Sequence, residues 1–181
     1  METDYTSQDF TVEVNAADYI ERFRDSERIA GYCKQCGNYG RSWACPPFDS
    51  PIIDELREYN SVLLIATRIT PSQTGIPISR APEFFFAERQ RLEKKLLEME
   101  KELGGRAYTF AGSCLYCPEG SCTRTEGKPC RHPELVRPSL EAVGFDLGKT
   151  LAELFDMQLL WSTDGTIPAY LTLICGFFYN K

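Results

Sequence analysis

Residues 9–14, DFTVEV, alternate apolar and polar side chains as a half-buried opening strand does, and Asn15 stands where it can cap a helix running through Tyr19, Ile20 and Phe23. Residues 61–69, SVLLIATRI, are a continuous apolar, β-branched run, the pattern of a strand buried on both faces. Between these two segments residues 31–51 keep neither a helical nor a strand period. Pro46, Pro47 and Pro51 interrupt them, which predicts a loop that something other than local propensity must order. A short helix is expected at 54–59.

Residues 71–82 contain Gly75 and three prolines and predict a mobile surface segment, a candidate lid. Residues 83–103 carry the clearest helical signal, with Phe85, Leu92, Leu96, Met99 and Leu103 on one face and Gly104–Gly105 ending it. Arg89 with Glu93 and Lys94 with Glu98 form i,i+4 pairs expected on its wet face. This helix is expected to cover a sheet, with a dimer seam as the alternative. A strand at 106–111, a helix at 148–155, and strands at 157–162 and 169–178 joined by a turn at Asp164–Gly165 complete the order. The expected fold is α/β, with α+β as the alternative: one domain over 1–181, a mixed β-sheet covered by helices, and two cysteine-rich loops at 31–51 and 112–138.

Composition narrows the setting. The first residues, METDYTSQDF, lack a basic segment followed by an apolar one, and no apolar run has the length of a membrane span. A cytoplasmic protein is therefore expected, with its cysteines reduced. The 26 acidic residues against 20 Lys and Arg argue against general nucleic-acid binding, which needs a basic excess.

The cysteines change the picture most. Cys33-x2-Cys36-x8-Cys45 and Cys114-x2-Cys117-x4-Cys122-x7-Cys130 fall in Gly- and Pro-rich segments with no apolar period to bury them. A C-x2-C pair lets two thiolates from one turn reach the same ion or cluster, and four thiolates complete a site. Cys175 differs: it lies in the apolar run YLTLICGFF, where packing as a small hydrophobe is favoured. The first set is one ligand short. His132, two residues past Cys130 and the only histidine, or Cys175 would supply the fourth, unless the position is open as in catalytic metal sites. A histidine with a purely hydrogen-bonding role, and one site assembled from both loops, are the other readings. Lys34, Arg41, Arg124, Lys128, Arg131 and Arg137 stand near the cysteines against Glu119, Glu126 and Glu134, so bases concentrate there in an acidic chain. Such charge favours ionised thiolates and offsets a tetrathiolate site; Arg41, Arg124, Arg131 and Arg137 are the candidate supporting residues. An anion or acidic-partner site is the compatible rival.

Zinc and iron–sulfur clusters share this ligand set. KQCGN around Cys36 is similar to a zinc knuckle, whereas the prolines directly after Cys45 and Cys117 and the compact four-cysteine run are similar to ferredoxin loops. An iron–sulfur cluster, [4Fe-4S] in type, is the favoured expectation and zinc the alternative. The segments CKQCGNYGRSWACPP and CLYCPEGSC, with KPCRHPELVRPSLEAVGFDL after the second, closely resemble a prokaryotic family of predicted metal-binding proteins, domain of unknown function 2284. The resemblance runs from about Gly31 to the last strands. It implies metal binding, no established activity, and Cys33, Cys36, Cys45, Cys114, Cys117, Cys122 and Cys130 as ligands; Cys175 is not among the ligands it implies.

Residues 131–147 read first as support for the second loop, with Pro133 and Pro138 suited to first turns of short helices, and a substrate contact by Arg137 or Glu141 as the sharper alternative. Three functions follow as expectations. One is electron transfer to a protein redox partner through one or two iron–sulfur clusters. Another is a zinc-stabilised interaction module. The last is a metal-dependent enzyme using the open position of the three-cysteine site under the 71–82 lid. A cysteine hydrolase is disfavoured, because no nucleophile-elbow sequence is present.

Overall fold

The computed structural model describes residues 4–49, 52–112 and 114–181, so the readings that fall on Met1–Thr3 and Pro51 lie outside the described residues. Strand β1, Tyr5–Asn15, leads into helix α1, Ala16–Phe23, whose start is capped as expected: the Asp18 N–H donates to Asn15 Oδ1 at 3.1 Å. Helix α2, Ser26–Gln35, follows almost at once, then helix α3, Ile52–Leu56, and strand β2, Ser61–Pro71. Helix α4, Ala81–Leu103, strand β3, Gly105–Tyr108, helix α5, Leu147–Phe155, and strand β4, Leu171–Tyr179, complete the regular elements.

The strands lie in the order β1-β2-β4-β3 and pair antiparallel throughout; a parallel bridge, Thr109 to Ser139, lies outside the ladders. The α/β-type arrangement of a helix-covered sheet is what the chain adopts, and its antiparallel pairing puts it on the α+β side of the expectation rather than in a mixed sheet. Alternation along the central strands sorts their side chains to two cores. Val62, Leu64 and Ala66 of β2 and Ile174 and Phe178 of β4 pack with Tyr19, Phe23, Phe145 and Leu151 on the α1–α5 face. Ile65, Ile69, Leu173, Cys175 and Phe177 pack under Phe84, Leu92 and Leu96 of α4 on the other. Each large side chain so buried stabilises the fold by about 1.5–3 kcal/mol relative to exposure.

Several local expectations change. Residues 157–162 join no ladder: Met157 is buried in the α1–α5 core, Leu159 packs against it, and the Tyr170 hydroxyl donates to the Gln158 carbonyl at 2.7 Å. Side-chain packing absorbs the apolar residues that the alternation had assigned to a strand. The expected lid is tied down, since the Ile78 N–H donates to the Gly165 carbonyl at 2.9 Å and the Ile167 N–H to the Ile76 carbonyl at 2.7 Å. Arg89 and Glu93, expected on the wet face of α4, have side chains only 13% and 10% exposed, because the second cysteine loop packs over that part of the helix. Among the described residues no helix is long and apolar enough to cross a membrane.

Candidate metal centre

The first cysteine segment is not all loop. Asp25 caps α2 by accepting from the Arg28 N–H at 3.2 Å, and the helix carries Cys33 into its last turn. The chain then leaves the helix at Cys36, whose N–H donates to the Cys33 carbonyl at 3.0 Å. Successive tight turns follow, from Tyr39 N–H to the Cys36 carbonyl and from Cys45 N–H to the Ser42 carbonyl. These turns bring Cys33, Cys36 and Cys45 within electrostatic reach of one another. Burial pushes the Cys45 thiol up and the neighbouring Cys36 and Cys33 add to this, while Arg124 and the Ser42 hydroxyl work against it. Burial, then Glu141 and Cys36, raises the Cys33 thiol.

The second segment is closed at its base, where the Thr109 N–H donates to the Pro138 carbonyl at 2.8 Å and the Thr109 hydroxyl to the Arg137 carbonyl at 3.1 Å. A 3-10 turn at Thr123–Glu126 folds its middle; the Thr123 hydroxyl donates to the Pro129 carbonyl at 2.8 Å, bringing the chain after Cys122 back beside the chain before Cys130. Cys114 is coupled to Cys117, Cys122 and Cys130, and burial is the largest cause of its raised thiol pKa. The loop is anchored to α4 at two points seven residues apart: the Tyr116 hydroxyl donates to Glu93 at 3.1 Å, and Arg137 binds Glu100. Burial and then Glu93 push the Tyr116 pKa up to about 12.

The four expected supporting arginines have different places. Arg131 Nη1 donates to the Ser121 carbonyl at 2.8 Å and reaches Cys117 Sγ at 3.9 Å. Arg124 crosses to the first loop, donating to the carbonyls of Ser42 at 2.9 Å, Cys45 at 2.6 Å and Pro47, with its guanidinium 5.0 Å from the Trp43 ring centre. It clamps one cysteine loop to the other. Arg137 is a buried strut on α4, with its guanidinium spent on Glu100 and the loop carbonyls of Pro133 and Val136. Arg41 lines a cavity of about 650 Å³ between the loops, together with Trp43, Cys114, Cys117, Cys122 and Cys130.

Of the two residues considered as a fourth ligand, Cys175 is fully buried under α4, its thiol 3.7 Å from the Ile65 carbonyl. His132 belongs to the second loop, its N–H donating to Cys130 Sγ at 3.4 Å and its ring lying 6.3 Å from Tyr116. Sequence reasoning missed Trp43, Glu93 and Glu100. An aromatic residue inside the polar run GRSWACPP, with nothing local to bury it, was the available signal for Trp43; Glu93 read as an ordinary wet-face position, and Glu100 was not singled out.

All eight cysteines are free thiols. Among the described residues no three His, Cys, Asp or Glu side chains stand in single-ion coordinating geometry. The donor chemistry nonetheless suits a thiolate-bound centre. Six of the seven loop cysteines are half-sheltered and Cys36 is exposed, and N–H and guanidinium donors approach sulfur at Cys117 and Cys130, the contacts that stabilise metal-bound thiolates. Neither curated proteins nor solved structures gave a match. A family model described as predicted metal-binding protein (DUF2284) matches residues 20–174, which takes in both cysteine loops, β2, β3 and the start of β4, and the chain belongs to that family.

Proposed function

We propose that this protein carries iron–sulfur clusters, [4Fe-4S] in type, on its two cysteine loops and exchanges electrons with a protein partner in a reducing, cytoplasmic setting. The observation that carries the reading is the grouping of Cys114, Cys117, Cys122 and Cys130 in one loop whose sulfurs receive the Arg131 guanidinium and the His132 N–H. A bound cluster supplies one-electron redox chemistry. The chain's own part is electrostatic and positional. Arg131 and Arg124 offset thiolate charge, the backbone donors at sulfur stabilise the more negative state, and the Arg124 clamp holds the two loops at one spacing. Leu115, 38% exposed between Cys114 and Cys117, offers a partner an apolar contact beside the sulfurs.

Anaerobic purification followed by iron, sulfide and zinc analysis and a visible spectrum tests this. Brown protein with iron and sulfide in near-equal amounts is expected; colourless protein holding zinc without iron or sulfide sinks the proposal.

A further inference from the structure

The three-cysteine group lacks a fourth ligand within its own segment; Cys175 is sealed under α4, and His132 belongs to the second loop, with its backbone N–H on Cys130 Sγ. A buried carboxylate offers a third candidate. Glu141 opens the 3-10 turn Glu141–Val143, which is fastened to α2, the helix that bears Cys33. The Asp25 N–H donates to the Gly144 carbonyl at 2.9 Å, and Arg24 Nε to the Val143 carbonyl at 2.8 Å. Gly144 has a φ of 97° and lies so close to Ser26 that a Cβ would stand 2.9 Å from its Cα, so the contact excludes any side chain.

The stem of Glu141 is partly exposed, but its carboxyl group is buried. The Ser139 hydroxyl and its own backbone N–H donate to it, while Oε2 is buried with no hydrogen-bond partner among the described residues. The group is electrostatically coupled to the Cys33 thiol and to Tyr19, whose hydroxyl is already paired with Thr150 at 3.1 Å. A buried carboxylate oxygen without a partner is costly, and the cost is removed if the oxygen binds a cation. Carboxylate oxygen binds metal alongside thiolate sulfur.

We infer that Glu141 is the fourth ligand of the metal centre held by Cys33, Cys36 and Cys45, joining α2, the first loop and the turn before α5 in one site. The inference rests on the reading that the first loop holds a metal centre. It leaves that site with mixed sulfur and oxygen ligation, distinct from the all-thiolate second site.

The test compares wild-type protein with Glu141→Gln, both reconstituted anaerobically with iron and sulfide. In the variant, iron bound at the first site should fall by about a quarter, and a three-iron EPR signal should grow several-fold on brief oxidation, since one corner of a four-iron cluster loses its ligand. Wild-type iron content and an unchanged spectrum in the variant overturn the assignment. Mössbauer spectroscopy of the wild-type protein needs no variant to fold: an oxygen-ligated iron gives a distinct subspectrum, and all-thiolate spectra at every iron overturn the assignment. If the wild-type protein holds zinc in place of iron, the cluster reading falls, yet Glu141 is still decided. Loss of zinc from the first site in Glu141→Gln supports it, and unchanged zinc content overturns it.

Discussion

Arg137 and Glu100 form a two-pronged ion pair, Nε to Oε1 at 2.8 Å and Nη2 to Oε2 at 2.5 Å, with side chains only 7% and 13% exposed. Glu100 Oε1 also accepts the Ala107 N–H at 2.7 Å, so one carboxylate ties the end of the second cysteine loop to α4 and to β3. An arginine expected to serve the cysteines by its charge instead holds the base of their loop.

Removing one partner leaves the other charge buried and uncompensated, which costs about 3–5 kcal/mol. Arg137→Ala should lower unfolding stability in urea by that order. Lys94→Ala, which breaks the exposed pair with Glu98 at 3.9 Å, should change it by about 0.5 kcal/mol or less. Equal effects of the two substitutions would refute the strut.

The same pair sets a pH dependence. Burial pushes the Glu100 carboxyl up, but Arg137 and the Ala107 N–H outweigh it and hold the folded-state pKa below the ordinary carboxylate value. A depressed folded pKa contributes stability that is present above the unfolded pKa and lost as pH falls through the folded one. The melting temperature of Glu100→Gln should therefore decline less steeply than that of the wild type on acidification below the ordinary glutamate range. Parallel acid limbs would contradict this.

Arg124 should govern how the loops move together. Arg124→Ala removes three bonds to carbonyls and the Trp43 contact, and Arg124→Lys cannot restore the planar fork. In a Trp161→Phe background, which removes the exposed indole, Trp43 emission should become more accessible to a soluble quencher in both variants, by about twofold or more for alanine, on the order expected when a packed loop opens. Quenching unchanged from the parent would show that the clamp is dispensable.

Cysteine substitutions should separate ligands from core. Cys117→Ser should reduce bound metal while leaving the sheet's circular dichroism intact. Cys175→Ala should leave metal content unchanged and cost about 1 kcal/mol of stability through the small cavity under α4. Metal lost from Cys175→Ala would reverse the assignment of that residue to the core.

Residues whose meaning depends on near neighbours in sequence were legible. The apolar run of 61–69 became β2 with two residues added at its end, Asn15 caps α1, and the helix expected at 83–103 is α4 with two residues added at its start. The two cysteine-bearing segments were legible for the same reason, because a C-x2-C pair is read from covalent spacing alone. The start of α2 was less visible, since its polar first turn over SERIAGYCKQ depends on the Asp25 cap and on packing against the turn at Glu141–Val143.

Local order along the chain was enough to set the main strand and helix cores and the division of seven cysteines into groups of three and four, because covalent spacing and side-chain periodicity act over a few residues. Folding in three dimensions was needed to make Arg137 a strut and Arg124 a clamp, to have residues 157–162 pack rather than pair, and to turn Cys175 toward α4. These outcomes turn on contacts between residues far apart in the chain, such as Arg124 with Cys45 and Arg137 with Glu100. Burial then sets the energy of each charge, and no local pattern records which distant group will be there to meet it.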